Sequence, residues 1–288
     1  MSRLLLALFV AGCAQAGPRP ADSMPRSATS IGECGLLEPP VAVPAAREIA
    51  SPAPIRLEAS TVDSLSLRLN IPAYRLDVVE GERVVREIQV AVGTPDHPTP
   101  IGDFRVTSLV WNPWWIPPPF DWAKDEKATP PGPSNPTGRV KLFFGYYLFL
   151  HGTPDEASLG QAASHGCVRM RNADAIALAR TVHAHASPTL PPAVLDSLEA
   201  NSSRTRSIGL ETPVPLSIRY DLVEVRGGQI EIHADVYGDG KAGSADVLTA
   251  LEGAGIDPED IDADELRAAL RDPPPLEIPL SGVLRRDR

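Results

Sequence analysis

The segment His151-Gly152-Thr153 is followed, thirteen positions after its histidine, by Ser164-His165-Gly166-Cys167-Val168-Arg169-Met170-Arg171-Asn172. A cysteine attacks an acyl carbon as its thiolate, so a site built on Cys167 needs a base near the sulfur and fixed donors for the oxyanion. His151 is the candidate base. Gly166 lets the backbone approach a substrate closely, and the amides around Cys167 can face the oxyanion as preorganised dipoles. The plainer reading, an inert buried thiol, leaves the histidines and their spacing unexplained. A metal centre made of His151, His165 and Cys167 lacks a fourth ligand, and the step from His165 to Cys167 is too tight for the usual spacings. No metal and no cofactor are therefore expected. His97, His183, His185 and His233 stand outside the motif and are read as surface or loop residues.

The elements that must position these residues are legible as patterns. Leu65, Leu67 and Leu69 alternate with polar residues, and residues 74–79 and 83–92 flank a turn at Glu80-Gly81-Glu82, which predicts a β-hairpin. After the loop from His97 to Gly102 comes a strand over 103–111, then a stretch to Pro119 too proline-dense for a sheet interior. Its Trp114 and Trp115, with Phe120, either wall a substrate groove or cap the sheet core, since aromatic rings give large apolar contact with few rotors. Both readings stay open. A turn cluster over 130–138 leads into one apolar strand, 140–150, that delivers His151. Ile176, Leu178, Ala179 and Val182 predict a helix over 172–185, with Asn172 or Asp174 suited to cap it. Strands over 214–225 and 229–233 predict a closing hairpin, so the sheet is expected to end near Tyr237. The predicted class is mainly β, a sandwich or curved mixed sheet with a helix after the cysteine.

The catalytic segment resembles the L,D-transpeptidase catalytic domain, the YkuD-type family, whose signature is a His followed at this distance by Ser/Thr-His-Gly-Cys. Further resemblance lies in Val92-Gly93, in Thr99-Pro100-Ile101-Gly102-Asp103-Phe104, and in Gly132-Pro133-Ser134-Asn135-Pro136-Thr137-Gly138. It covers about residues 65–185. The resemblance implies that Cys167 is the acylated nucleophile, His151 the general base and His165 an orienting or oxyanion-side group. It also implies that Gly152 lends a carbonyl to His151 where a triad's third member would act, and that Ser164 helps by hydrogen bonding. Arg169 is expected to hold a stem-peptide carboxylate, with Trp114, Trp115 and Asn172 as further substrate contacts. The implied partner is a peptidoglycan stem peptide, and the acceptor is a stem amine, an envelope-protein amine or water. The competing reading is a noncatalytic wall-binding lipoprotein, which has no need for a thiol and a base at this spacing.

Bulk properties set the surroundings. The 288 residues, 43% hydrophobic and 22% charged, suffice for one substantial core plus accessories. Residues 235–272 hold 11 Asp/Glu against 3 Lys/Arg, so most of the net charge of -10 is local and nothing offers a basic nucleic-acid surface. Arg3, the apolar run Leu4 to Val10 and the ending Val10-Ala11-Gly12-Cys13 read as an export signal, too short to span a bilayer. That ending resembles the bacterial lipoprotein signal and implies lipid on Cys13, with Ala14 favouring the outer membrane and a periplasmic catalytic domain. The expected organisation is a signal over 1–12, a Pro/Ala-rich tether over 13–60, a catalytic domain over 61–237 with core 65–185 and closing hairpin 212–237, and an acidic helical tail over 238–288. Cys34 is read as a free thiol. A calcium loop from Asp235 to Asp246 fails, because Tyr237 and Gly243 replace oxygen ligands and Asp246 is too short for a bidentate grip.

Overall fold

The computed structural model describes residues 64–285 apart from Pro188, Asp239 and Lys241. The expectations on Cys13, Cys34 and the 13–60 tether lie outside the described residues. In chain order the strands and helices are β1 (Leu65–Asn70), β2 (Arg75–Glu80), β3 (Arg83–Gln89), β4 (Val92–Gly93), β5 (Gly102–Trp111), β6 (Val140–Gly145), β7 (Leu148–Thr153), β8 (Ala162–Ser164), β9 (Val168–Arg171), α1 (Asn172–Ala186), α2 (Pro192–Ala200), β10 (Arg206–Arg219), β11 (Val223–Arg226), β12 (Gln229–Ile232), α3 (Ser244–Gly253), α4 (Ala263–Ala269), β13 (Leu276–Pro279) and α5 (Leu280–Val283).

Eight strands form one curved mixed sheet in the order β3-β2-β1-β10-β5-β6-β7-β9. Within this sheet β1–β10 and β7–β9 pair in parallel and the other neighbours antiparallel, and β4 pairs with β8 in parallel apart from it. The mainly β class with a helix after the cysteine is thus what the chain adopts. Alternation in β1 buries Leu65, Leu67 and Leu69, as the pattern predicted. Helix α1 packs on β6, β7 and β10 through Ala175, Leu178, Ala179 and Val182, which recur at i, i+3, i+4 and i+7 and are fully buried. Ile176 lies at the flank of this stripe. Neither Asn172 nor Asp174 caps the helix, whose N-cap position is Arg171 without a side-chain bond.

The expected single strand over 140–150 is instead a hairpin, β6 and β7, turning at Tyr146 and Tyr147. Tyr147 takes φ 55, a region that non-glycine residues rarely enter. The turn therefore carries none of the Asn-Gly or Asp-Gly chemistry that marks a tight hairpin in sequence. A continuous apolar run looks the same whether or not it doubles back.

The expected closing hairpin does not close the main sheet; β10 does that work between β1 and β5. Strands β11 and β12 pair with β13 in a separate antiparallel sheet. Residues 238–288, expected as an acidic helical tail, contribute to its core: Ile230, Ile232 and Ile278 pack with Val247 and Leu251 of α3 and Leu266 of α4. Strand periodicity identifies a strand but not its partner, which explains the difference. Ion pairs tie this small unit to β2: Arg75 reaches Glu224 at 2.7 Å and Glu231 at 3.2 Å, and Arg226 reaches Asp77 at 2.7 Å. Burial pushes the Glu224 carboxyl up, but hydrogen bonds from His233, Asn70 and Arg75 outweigh it and hold it at about 2. No helix among the described residues is long and apolar enough to cross a membrane.

Candidate active site

Adjacent parallel strands bring the two motifs together. Leu150 pairs with Val168 and His151 with Arg169, so Cys167, just before β9, lies beside the strand that carries the histidine. The chain from Ala91 to Thr94 clamps the nucleophile segment from its other side. Ala91 and Arg169 exchange two backbone bonds of 2.9 Å, and the Thr94 N–H donates to Ser164 O at 2.9 Å. Gly93 is required here because a Cβ would sit 2.1 Å from the His97 carbonyl oxygen.

His151 is buried, and its Nδ1 lies 2.7 Å from Gly152 O. A carbonyl only accepts, so Nδ1 carries the proton and Nε2 is the basic atom of the ring. Gly152 admits no side chain, since a Cβ would meet Asn172 Oδ1 at 2.3 Å. Asn172 itself ties the residue before β6 to the end of β7: its Oδ1 accepts from the Arg139 N–H at 2.8 Å and its Nδ2 donates to Thr153 O at 3.2 Å. The Cys167 thiol donates to Tyr147 O at 3.4 Å, so the left-handed turn residue that hid the hairpin aims its carbonyl at the nucleophile.

Both peptides flanking Cys167 are held. Ser164 Oγ donates to Cys167 O at 2.5 Å and accepts from the Gly166 N–H at 3.1 Å. Thr99 Oγ1 donates to Gly166 O at 3.1 Å and accepts from the Gly93 N–H at 2.9 Å. Gly166 takes φ 94, which a residue with a Cβ rarely adopts. A trans peptide is planar with its C=O and N–H on opposite sides, so pinning Gly166 O fixes the direction of the Cys167 N–H. An N–H fixed in this way can serve as a preorganised donor to an oxyanion.

Charge at the site is one-sided. Lys141 on β6 and Arg169 on β9 are the register partners of His151, so the three side chains share one face of the sheet. Burial first, then Arg169 and Lys141, lower His151 to about 4, against the opposing hydrogen bond to Gly152. Burial raises the Cys167 thiol to about 11, although a hydrogen bond from the Phe149 backbone and both cations pull the other way. Both shifts favour thiol and neutral imidazole as the resting pair at neutral pH, an arrangement in which the free Nε2 of His151 can serve as a general base. Among the described residues no carboxylate forms an ion pair with Lys141 or Arg169.

The pair opens into a cleft of about 130 Å³ whose lining includes Trp115, Ile116, Phe120, Trp122, Tyr147 and Phe149. Trp122 stacks on the His165 ring at 3.9 Å and 10°. Of the residues singled out by sequence, Cys167, His151, His165, Ser164, Arg169, Trp115 and Phe120 line the cleft. Gly152 and Gly166 act through their backbones. Trp114 stays outside the lining, its ring half exposed and its carbonyl accepting from Lys141 Nζ at 3.4 Å. Asn172 is likewise outside, behind His151, where it ties Arg139 to Thr153. Thr99, Lys141, Trp122, Tyr147 and Phe149 went unnoticed as site residues. For Lys141 a signal existed, a lone cation inside the apolar run Val140-Lys141-Leu142-Phe143-Phe144.

With this geometry in place, residues 66–215, just over half of the chain, match the family profile described as YkuD, the L,D-transpeptidase catalytic domain. The chain belongs to that family. The Bacillus subtilis protein named "Putative L,D-transpeptidase YqjB" is 31% identical over 120 residues, covering 40% of this chain and 64% of that protein. The Escherichia coli protein named "Probable L,D-transpeptidase YbiS" is 32% identical over 103 residues, 33% of this chain and 34% of its own length. The chain therefore spans less than two thirds of either relative. A solved L,D-transpeptidase from Mycobacterium smegmatis is 16% identical with a TM-score of 0.36, over 54% of this chain and 58% of that one. The YkuD span contains His151, Ser164-His165-Gly166-Cys167 and Lys141, and stops short of β11 to β13.

Proposed function

We propose that the protein is a cysteine acyltransferase acting on peptidoglycan stem peptides. The observation that carries this is that Cys167 and His151 line one aromatic cleft, with Lys141 and Arg169 as the register partners of His151 and, among the described residues, no carboxylate in an ion pair with either cation. Sγ of Cys167 attacks the carbonyl that links the L-centre of a diamino acid to a terminal D-Ala, and His151 Nε2 takes the thiol proton. The oxyanion meets the Cys167 N–H. Collapse expels D-Ala with the proton from His151 and leaves a thioester on Sγ. An acceptor amine then attacks the thioester, gives its proton to His151 and restores the thiol, with a new amide as product. Arg169 and Lys141 favour a donor that carries carboxylates near the scissile bond. A stem side-chain amine as acceptor gives a 3-3 crosslink, a protein amine an anchored envelope protein, and water a trimmed stem.

Intact-protein mass spectrometry after exposure to imipenem or a tetrapeptide stem tests the donor half. A covalent adduct is expected on the wild type and absent from Cys167→Ala; no wild-type adduct, or one that survives the substitution, overturns the reading. Muropeptide profiles of cells with and without the protein read out the acceptor, loss of 3-3 crosslinks supporting a stem amine. The proposal includes export and lipid anchoring through Cys13, supported by the signal-like residues 1–13. Cys13→Ser should then release the protein from membranes, and continued membrane association would refute the anchor.

A further inference from the structure

We propose that Tyr237, which lies beyond the span matched to the YkuD family, is a positioning residue for the oxyanion side of the site. It acts through Thr99 on the Gly166–Cys167 peptide. The inference rests on the acyl-transfer reading for its catalytic consequence, while the contact chain stands by itself.

Thr99 is buried, and its hydroxyl and its N–H are both engaged. Its hydroxyl proton goes to Gly166 O and its lone pair takes the Gly93 N–H. Its backbone N–H donates to Tyr237 Oη at 3.0 Å. The residues on either side are Pro98 and Pro100, which have no N–H, so Thr99 offers the one backbone donor in this tripeptide. Tyr237 Oη therefore holds the Pro-Thr-Pro loop at the residue whose hydroxyl orients Gly166 O. Through the planar peptide that hydroxyl also directs the Cys167 N–H.

Tyr237 is itself firmly placed. Its N–H donates to Tyr220 Oη at 2.6 Å, Tyr220 Oη donates to Asp235 Oδ1 at 2.5 Å, and the two tyrosine rings stack at 5.4 Å and 24°. Asp235 also accepts from the N–H groups of Gly238 at 2.9 Å and Gly240 at 3.0 Å. The knot follows β12 directly, so a segment next to the small C-terminal sheet reaches back to the catalytic loop. The packing of the Tyr237 ring would survive loss of its hydroxyl, which lets the two roles be separated.

The test compares the full-length wild type with Tyr237→Phe, which removes the hydroxyl and keeps the ring. Three rates are measured: acylation by imipenem, alkylation of Cys167 by iodoacetamide, and amide hydrogen exchange in the segments around Thr99 and Gly166. Iodoacetamide displacement forms no oxyanion, so it reports the thiol alone. For Tyr237→Phe the expected result is acylation slowed about tenfold, a fraction of the effect of deleting an oxyanion donor outright. Alkylation should stay within about twofold and exchange should quicken in both segments. Wild-type acylation and exchange in Tyr237→Phe would overturn the proposal, as would a parallel fall in acylation and alkylation. Should the wild type itself resist imipenem, the acyl-transfer reading fails, and exchange alone decides whether Tyr237 holds the loop.

Discussion

Lys141 stands directly across from His151 in the β6–β7 ladder, and its ammonium lies 5.2 Å from the Phe149 ring centroid and 5.3 Å from that of Phe143. This cation sits on the same sheet face as the base and depresses its proton affinity, in company with Arg169. It also helps the thiol to ionise, a smaller effect than the burial that opposes it.

Lys141→Met should move both ends of the pH profile. Removing the cation raises the proton affinity of His151, so the acidic limb of imipenem acylation shifts to higher pH, and the Cys167 thiol becomes harder to ionise. Acylation rates from pH 4 to 10, compared with wild type, check this. An unchanged acidic limb would remove Lys141 from the electrostatics of the site.

The buried imidazole makes stability depend on acid. Burial holds His151 at about 4 in the folded protein, below the usual 6.5 of an imidazole, so as pH falls the unfolded chain takes up the proton first. Stability present above about 6.5 is lost progressively down to about 4, amounting to about 3 kcal/mol. Urea denaturation of wild type and His151→Gln across this window isolates the contribution. The wild type should lose that much more than the variant, and parallel curves would show that the imidazole is not buried as described.

Because burial raises the Cys167 thiol to about 11, its alkylation by iodoacetamide should climb about tenfold per pH unit from 7 to 10. A rate already on a plateau at pH 7 would mean a preformed thiolate and imidazolium, contrary to the neutral pair.

Asn172 bridges Arg139 and Thr153 behind the base, so Asn172→Ala leaves the Arg139 N–H and the Thr153 carbonyl unsatisfied. A destabilisation of about 1–3 kcal/mol is expected from such buried groups. Chemical denaturation measures it, and the same variant should acylate more slowly, because Gly152, whose carbonyl orients His151, packs against Asn172. Wild-type stability would sink the bridging role.

What the sequence by itself determined is local. His151, Cys167 and the glycines beside them were legible because acyl transfer needs a base, a thiol and an uncluttered backbone within short reach. The stripe on α1 and the alternation of β1 were legible because burial imposes a period on one element at a time. The tertiary structure decided the rest. Tyr147 turns the chain and points its carbonyl at the thiol without any turn signal in its residue type. Lys141 reaches the base as a cross-strand partner, and Tyr237 meets Thr99 across 138 positions of chain. The hairpin over 223–232 alternates like any strand pair, yet its partner is β13 rather than the main sheet. In each case the sequence specifies what a residue can do, whereas strand order and register specify what it faces. Those are set by the joint burial of side chains remote in the chain, which no local pattern records.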